Sequence, residues 1–177
     1  MSAACEFMEP PRVDAASADE ARALLQACCG SRRWVERMLA LRPFGATDVL
    51  LSAARREWFA LTPEDWKEAF AHHPKIGDRE ALRARFPVTH HFSEREQAAV
   101  GTAPEQTIEP LARGNAAYER RFGYIFIVCA TGKSAEEMLD LLTARLQNDP
   151  VTEARIAAEE QAKITELRLK QLNQKTA

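Results

Sequence analysis

The chain has 177 residues, a length that suits one domain able to bury roughly 70 % of the surface that its unfolded form exposes. Its 24 basic and 26 acidic residues are mixed along the sequence, which argues against a nucleic-acid partner and against an anionic membrane surface. No segment approaches the roughly eighteen apolar residues of a membrane span. We therefore predict a soluble protein with a small-molecule partner.

The first sixteen residues contain Pro10-Pro11 and no periodic apolar pattern, so residues 1–16 are expected to form a loosely ordered leader. From residue 17 onward, apolar residues recur at helical spacing, and each run follows a residue that can cap a helix. The predicted caps or first residues, in chain order, are Ser17, Ser31, Thr47, Thr62, Ser93, Leu111, Ser134 and Thr152. We predict one all-α, compact multi-helix domain over residues 17–177.

One apolar run departs from helical spacing. Residues 124–130, with the sequence Tyr-Ile-Phe-Ile-Val-Cys-Ala, could form a buried strand. A lone strand would leave its backbone groups unpaired, and no second run of this kind is present to pair with it. The run is therefore predicted to be an extended, buried connector between helices.

A histidine directly before a proline lies at the end of the helix that Thr62 begins. Because proline disfavours the helical conformation in the preceding residue, His73 is expected at a helix end, with its imidazole beside an irregular segment. Such a histidine can act as a general acid or base near neutral pH. It can equally do no more than close the helix, and this motif alone leaves both interpretations open.

Further motifs follow one another in a defined order. They are Cys28-Cys29-Gly30-Ser31, Trp34, Arg42-Pro43-Phe44, His73-Pro74-Lys75-Ile76-Gly77-Asp78, Ser93-Glu94-Arg95-Glu96-Gln97, residues 122–128, Arg145-Leu146-Gln147-Asn148, Lys163-Ile164 and Leu167-Arg168-Leu169. In order and spacing, the chain from about Ala27 to Leu172 resembles the 2-oxo-4-hydroxy-4-carboxy-5-ureidoimidazoline (OHCU) decarboxylase family. The specific part is the combination of the motif at His73 with Ser-x-x-Glu-Gln about twenty residues later.

The resemblance implies an all-helical carboxy-lyase that converts OHCU to (S)-allantoin in urate degradation, works without a cofactor or metal, and forms a homodimer. It assigns catalytic roles to His73 and Glu96. The substrate-binding residues that it implies are Pro74, Ser93, Gln97, Ile127, Val128, Cys129, Ala130, Thr131 and Arg168. The partner would be a small anionic ureidoimidazoline.

Several of these residues have a structural alternative. Ser93 and Glu96 have the spacing of a capping box, in which both side chains only satisfy backbone amides. Arg168 interrupts an apolar stripe of the last helix, and it could form an ion pair or extend to solvent instead of binding substrate. Arg145 also belongs to a family motif and is the second candidate for the substrate-binding arginine.

Two other classes of protein compete with the decarboxylase. The histidine pairs His72-His73 and His90-His91 would suit a metal-dependent hydrolase of a related cyclic ureide, although no standard ligand spacing accompanies them. A helical binding module without activity is the other alternative. No role is assigned to His72, His90 or His91. The four cysteines are expected to be reduced thiols, and the C-terminus carries no peroxisomal Ser-Lys-Leu signal, so a cytoplasmic location is expected.

Overall fold

The computed structural model describes residues 10–73 and 105–174, and all the regular elements within these ranges are helices. They are α1 (Arg12–Ala15), α2 (Ala18–Cys28), α3 (Arg32–Ala40), α4 (Thr47–Phe59), α5 (Pro63–Phe70), α6 (Glu105–Phe122), α7 (Ala135–Arg145) and α8 (Pro150–Asn173). The prediction of an all-α fold is confirmed. None of these helices is both long enough and apolar enough to cross a membrane.

Local hydrogen bonds at the helix starts explain where most helices begin. Ser17, Thr62 and Ser134 each form a capping box, and the Ser31 side chain accepts a hydrogen bond from Trp34 N, as predicted. The prediction for the last helix was wrong. Its N-cap is Asp149 rather than Thr152. The Asp149 carboxylate accepts from two backbone amides, and Pro150 occupies the first helical position, where its missing N–H costs nothing.

The long helix α8 organises the core. It packs against α2, α4 and α5, while α6 and α7 pack against each other. Trp58 is buried, and its indole N–H donates to Ala158 O of α8 at 2.9 Å. Trp34 is also buried and donates to Ala54 O at 3.0 Å. The indoles therefore join helices within the core, because each ring buries its apolar face while its N–H finds a backbone acceptor.

The apolar run between α6 and α7 is an irregular connector with no strand, in agreement with the sequence prediction. Tyr124, Phe126 and the four residues that follow are buried. The ring of Tyr124 contacts Phe70 of α5 with centroids 5.1 Å apart. This contact holds the connector beside the end of α5, where His73 lies.

The predicted leader contains a packed segment. Val13 of α1 is fully buried, and the Asp14 carboxylate accepts hydrogen bonds from Phe44 N and Gly45 N, both at 2.9 Å. Residues 1–9 lie outside the described part of the chain. The boundary of the leader at residue 16 therefore stays a prediction.

Candidate functional site

His73 follows the last turn of α5. Backbone hydrogen bonds from His72 N to Ala69 O and from His73 N to Phe70 O, each 3.1 Å long, continue the turn beyond Phe70. The proline that follows disfavours further helix. His73 is half-buried, and its imidazole is directed at α8, where Nε2 shares a hydrogen bond of 2.6 Å with Gln161 Oε1. The predicted position of His73 at a helix end is confirmed.

Three buried polar side chains lie along one face of α8. Gln161 is fully buried, and Thr165 and Arg168 are each about 5 % exposed. Their spacing of four and three residues places them on adjacent turns of the same helix face. Gln161 Nε2 donates to Thr165 Oγ1 at 3.1 Å, and Thr165 Oγ1 donates to Cys28 O at 3.5 Å. These side chains therefore join the end of α2 to His73 through α8.

Arg168 lies in the same region. Its Nη1 donates to Ala27 O at the end of α2, with a distance of 3.4 Å. The side chain is buried and so does not extend into solvent, which removes one of the structural alternatives for this arginine. Its positive charge also acts on two neighbouring titratable groups, His73 and Cys29. The structure thus brings His73 and Arg168, two of the predicted site residues, into one electrostatic environment.

The surroundings of His73 keep its imidazole neutral. Burial, followed by the positive charge of Arg168, lowers the pKa of His73 to about 3, although the hydrogen bond to Gln161 acts in the opposite direction. At pH 7 His73 is therefore neutral, with a proton on one ring nitrogen and a lone pair on the other. Burial raises the pKa of the Cys29 thiol to about 12, so this cysteine is not a nucleophile.

Arg145, the second candidate for the substrate-binding arginine, is part of a buried network. Its Nε and Nη2 donate to Glu153 Oε1 at 2.8 and 2.6 Å, and its Nη1 donates to Ile127 O at 2.8 Å. Glu153 is fully buried and also accepts from the Tyr118 hydroxyl and from Asn148 Nδ2. The guanidinium of Arg145 therefore holds α7, α8 and the connector together.

Residues 127–131, whose backbone groups are predicted to contact the substrate, lie in the connector, and several of these groups already have protein partners. Cys129 N donates to Glu160 Oε2 at 2.7 Å, and Cys129 O accepts from Lys133 Nζ at 2.7 Å. Burial alone would raise the pKa of Glu160, but hydrogen bonds from Lys163 and from Cys129 N outweigh it, so the pKa is lowered. Glu160 precedes Gln161, so the connector is attached to α8 next to the partner of His73.

His72 points to a different partner from His73. Its Nδ1 lies 2.9 Å from Glu68 O, and its ring packs so closely on Gly30 that a Cβ there would lie 2.5 Å from His72 Cβ. Within residues 10–73 and 105–174, no group of three or more metal-ligating side chains is found.

The remaining predicted site residues lie outside the described part of the chain. They are Pro74, Ser93, Glu96 and Gln97, together with His90 and His91.

Sequence reasoning missed three residues that shape this region, namely Gln161, Glu160 and Glu153. Gln161 and Glu153 are fully buried polar side chains on α8. A signal for Gln161 was present, because it lies two turns before Arg168 on the face that carries Ala157, Ala158 and Ile164. A polar residue within an apolar stripe is buried at a cost unless it has a partner. Nothing in the sequence identified that partner as His73.

An open cavity of about 750 Å³ lies between α4 and α8. Its lining includes Leu51, Arg55, Trp58 and Ala162, and it shares Thr165 with the polar face of α8. Neither His73 nor Arg168 belongs to that lining. We therefore place the candidate site at the end of α5 rather than in this cavity.

Comparison with known proteins gives consistent results over most of the chain. The OHCU decarboxylase family model matches residues 14–170. The uric acid degradation bifunctional protein TTL of Arabidopsis thaliana is 36 % identical over 146 residues, which are 82 % of this chain but 45 % of that protein. The chain thus spans less than half of that relative. The 2-oxo-4-hydroxy-4-carboxy-5-ureidoimidazoline decarboxylase of Amia calva is 33 % identical over 134 residues, or 75 % of each protein.

Solved structures agree with these matches. A crystal structure of OHCU decarboxylase in the presence of (S)-allantoin has a TM-score of 0.72 and 34 % sequence identity. The match covers 89 % of this chain and 98 % of that one. A crystal structure of (S)-allantoin synthase has a TM-score of 0.68 at 17 % identity, which is a likeness of fold alone.

Proposed function

The chain belongs to the OHCU decarboxylase family, and on this basis we propose that it is a carboxy-lyase that converts OHCU to (S)-allantoin in urate degradation. The observation that carries the proposal is the arrangement around His73. A neutral imidazole shares a hydrogen bond with buried Gln161 and lies in the field of buried Arg168. A proton acceptor beside a fixed positive charge suits an anionic substrate that must lose carbon dioxide and move a proton.

The substrate supplies its own electron sink. In OHCU the ring carbon that bears the carboxylate also bears a hydroxyl, and it neighbours a carbon–nitrogen double bond. When the bond to the carboxylate breaks, its electron pair moves through the neighbouring carbon to the imine nitrogen, which takes a proton from the medium. Carbon dioxide leaves, and an enol-amine remains. The ring thus does what an electron-accepting cofactor does in other decarboxylases.

His73 then moves one proton. It takes the hydroxyl proton of the enol-amine and delivers it to the neighbouring carbon, so that the enol becomes the carbonyl of allantoin. Delivery to one face of the ring sets a single enantiomer. Because His73 is neutral at pH 7, it acts first as the base and only afterwards as the acid. Proton transfer of this kind typically contributes about 10²–10⁴-fold to a rate.

Arg168 is the better candidate for the arginine that binds the substrate anion. All three donor nitrogens of Arg145 contact Glu153 or Ile127 O, and its charge is balanced by a buried carboxylate. Arg168 shares its environment with His73, and the planar guanidinium can hold a carboxylate or ureido group with two parallel hydrogen bonds.

The remaining roles rest on the family motifs. We propose that Glu96 orients the substrate or His73, and that Pro74, Ser93 and Gln97 complete the pocket. The proposed contacts from the connector are the backbone groups of residues 127–131. Some of these groups already have protein partners: the Cys129 N–H donates to Glu160, and Ile127 O and Cys129 O accept from Arg145 and Lys133. A homodimer is likewise proposed from the family resemblance, and a cytoplasmic location is proposed as the default. Sedimentation of the purified protein and cell fractionation would test these two points.

The proposed function can be tested directly. Purified protein is mixed with freshly generated OHCU, and optical activity is followed. We expect rapid formation of one enantiomer of allantoin by the parent protein. We also expect a loss of turnover in His73→Asn that still binds a stable substrate analogue. Turnover no faster than the spontaneous reaction would favour the non-catalytic binding module, and parental turnover in His73→Asn would contradict the role of the histidine.

A further inference from the structure

Gln161 is a fully buried amide on α8 whose oxygen meets the imidazole of His73. Each end of the amide has a different partner. Oε1 lies 2.6 Å from His73 Nε2, and Nε2 donates to Thr165 Oγ1 at 3.1 Å. Because the side chain is shielded from water, its orientation is set by these protein groups.

The direction of this hydrogen-bond chain follows from its last member. Cys28 O can only accept, so the Thr165 hydroxyl donates to it and its oxygen is left to accept. The group that donates to Thr165 must be the Gln161 NH2, which turns the amide oxygen towards His73. A carbonyl oxygen can only accept, so the proton in the hydrogen bond belongs to His73 Nε2.

We infer that Gln161 is a positioning residue for the proposed decarboxylation. By accepting a hydrogen bond from Nε2, it holds neutral His73 in the tautomer whose Nδ1 is the base. The inference rests on the proposed function, because it assigns the proton transfer to one nitrogen of the histidine in that reaction. Gln161 itself does not exchange a proton with the substrate.

The chemistry of an amide suits this position at both stages of proton transfer. Before transfer, a neutral acceptor fixes the ring without adding a negative charge that would favour its protonation. After Nδ1 has taken the proton, the same Nε2–H group belongs to a cation, and hydrogen bonds from charged donors are roughly twice as strong as neutral ones. A glutamate could also accept from Nε2, but it would raise the pKa of the imidazole, and it has no N–H to donate to Thr165.

The tautomer can be observed by NMR of protein labelled with ¹⁵N-histidine. The signals of His73 are identified by their loss in His73→Asn. We expect the parent protein near pH 7 to have its proton on Nε2, in slow exchange with water, and an unprotonated Nδ1. In Gln161→Glu the pKa of His73 should rise. A parent protein with the proton on Nδ1 would overturn the inference.

Kinetics supply the second readout. Gln161→Leu removes the acceptor, and we expect kcat to fall by about 10–100-fold with little change in KM, which is a part of the roughly 10²–10⁴-fold that proton transfer contributes. Gln161→Glu should recover much of kcat at higher pH, with the acidic limb of its pH profile moved upward. Thr165→Val removes the partner of the Gln161 NH2 group, so the amide can rotate to the opposite orientation. The kcat of this variant should lie between those of the parent and Gln161→Leu. Gln171→Leu, at a half-buried glutamine three turns further along α8, is the control and should keep the parental kcat.

The experiments give different results if the proposed function is wrong and if the positioning role of Gln161 is wrong. If the parent protein does not turn over OHCU, the proposed function is wrong and the inferred catalytic role falls with it. If the parent is active and both Gln161→Leu and Thr165→Val retain its kcat and pH profile, the proposed function stands and the positioning role is wrong. Thermal unfolding of each variant identifies losses of activity that come from unfolding. The tautomer of His73 in the parent protein tests the inferred hydrogen bond to Gln161 even if a variant does not fold.

Discussion

His73 couples its charge state to folding, because the folded environment disfavours the imidazolium form. Burial and the charge of Arg168 hold its pKa at about 3, below the ordinary 6.5. Among the residues that the structure describes, the other groups near it are neutral Gln161 of α8 and the ring of His72, which also opposes protonation. Between these two pKa values the unfolded chain binds a proton that the folded chain does not. The stabilisation is therefore complete above about pH 6.5 and is lost as the pH falls towards 3.

This predicts a difference between two unfolding curves. The free energy of unfolding of the parent protein, minus that of His73→Asn, should decrease steadily from pH 7 to pH 4. Urea unfolding at several pH values measures it, and subtraction removes the contribution of carboxylates that are common to both proteins. Parallel pH profiles would mean that the folded protein accommodates a protonated His73.

The two arginines should respond differently to the same conservative change. Arg168→Lys keeps the charge but loses the planar fork, so it should weaken binding of a substrate analogue by about 1–3 kcal/mol while the fold is largely kept. Arg145→Lys should lower the stability by a similar amount, because lysine cannot satisfy both Glu153 and Ile127 O.

Calorimetric binding and urea unfolding, applied to both variants, separate these effects. A weakened analogue affinity in well-folded Arg145→Lys, together with parental affinity in Arg168→Lys, would reverse the assignment of the substrate-binding arginine.

At the scale of elements, the turn between α2 and α3 packs against the end of α5 at Gly30. A Cβ at this position would lie 2.5 Å from His72 Cβ and 2.6 Å from His72 Nδ1. These atoms lie near the backbone and cannot move without shifting the end of α5. We expect Gly30→Ala to displace the neighbouring His73 and to lower both the melting temperature and kcat.

Gly114→Ala provides the matched control for this element. Its new Cβ would lie 2.5 Å from Leu142 Cδ2, between α6 and α7 and at the flexible end of a side chain. It should affect stability but leave kcat nearly unchanged. Equal losses of kcat in the two folded variants, measured at a temperature where both are folded, would argue against a specific link from Gly30 to His73.

For the whole molecule, the proposed mechanism requires only the substrate and the protein. Because the imine of OHCU accepts the electron pair, we expect full turnover after exhaustive chelation and dialysis. Metal analysis of the active protein should find no stoichiometric transition metal. A parallel loss of zinc and activity, restored when zinc is added back, would favour the metal-dependent hydrolase of a cyclic ureide.

Local signals in the sequence were sufficient for the starts of α2, α3, α4, α5 and α7 and for the position of His73. Capping boxes at Ser17, Thr62 and Ser134 depend on residues three positions apart, and the position of His73 depends on the proline that follows it. Local signals failed where two competed. Asp149 and Thr152 are both good caps, and Pro150 at the first helical position accompanies the first of them. Helix α6 was predicted from Leu111 but spans Glu105–Phe122 with Pro110 inside it, although a proline beyond the first turn leaves one helix hydrogen bond unmade.

The sequence by itself determined the all-α class, most helix starts and the position of His73, because each depends on neighbours in the chain. Only the tertiary structure decided what the buried polar groups do. It paired Arg145 with Glu153, eight residues away, and His73 with Gln161, 88 residues away. The two partners of each pair belong to different elements of the fold, so their pairing leaves no periodic pattern in the sequence. Their pairing is instead dictated by packing, because a buried polar group must find its hydrogen bond among the neighbours that the folded chain provides.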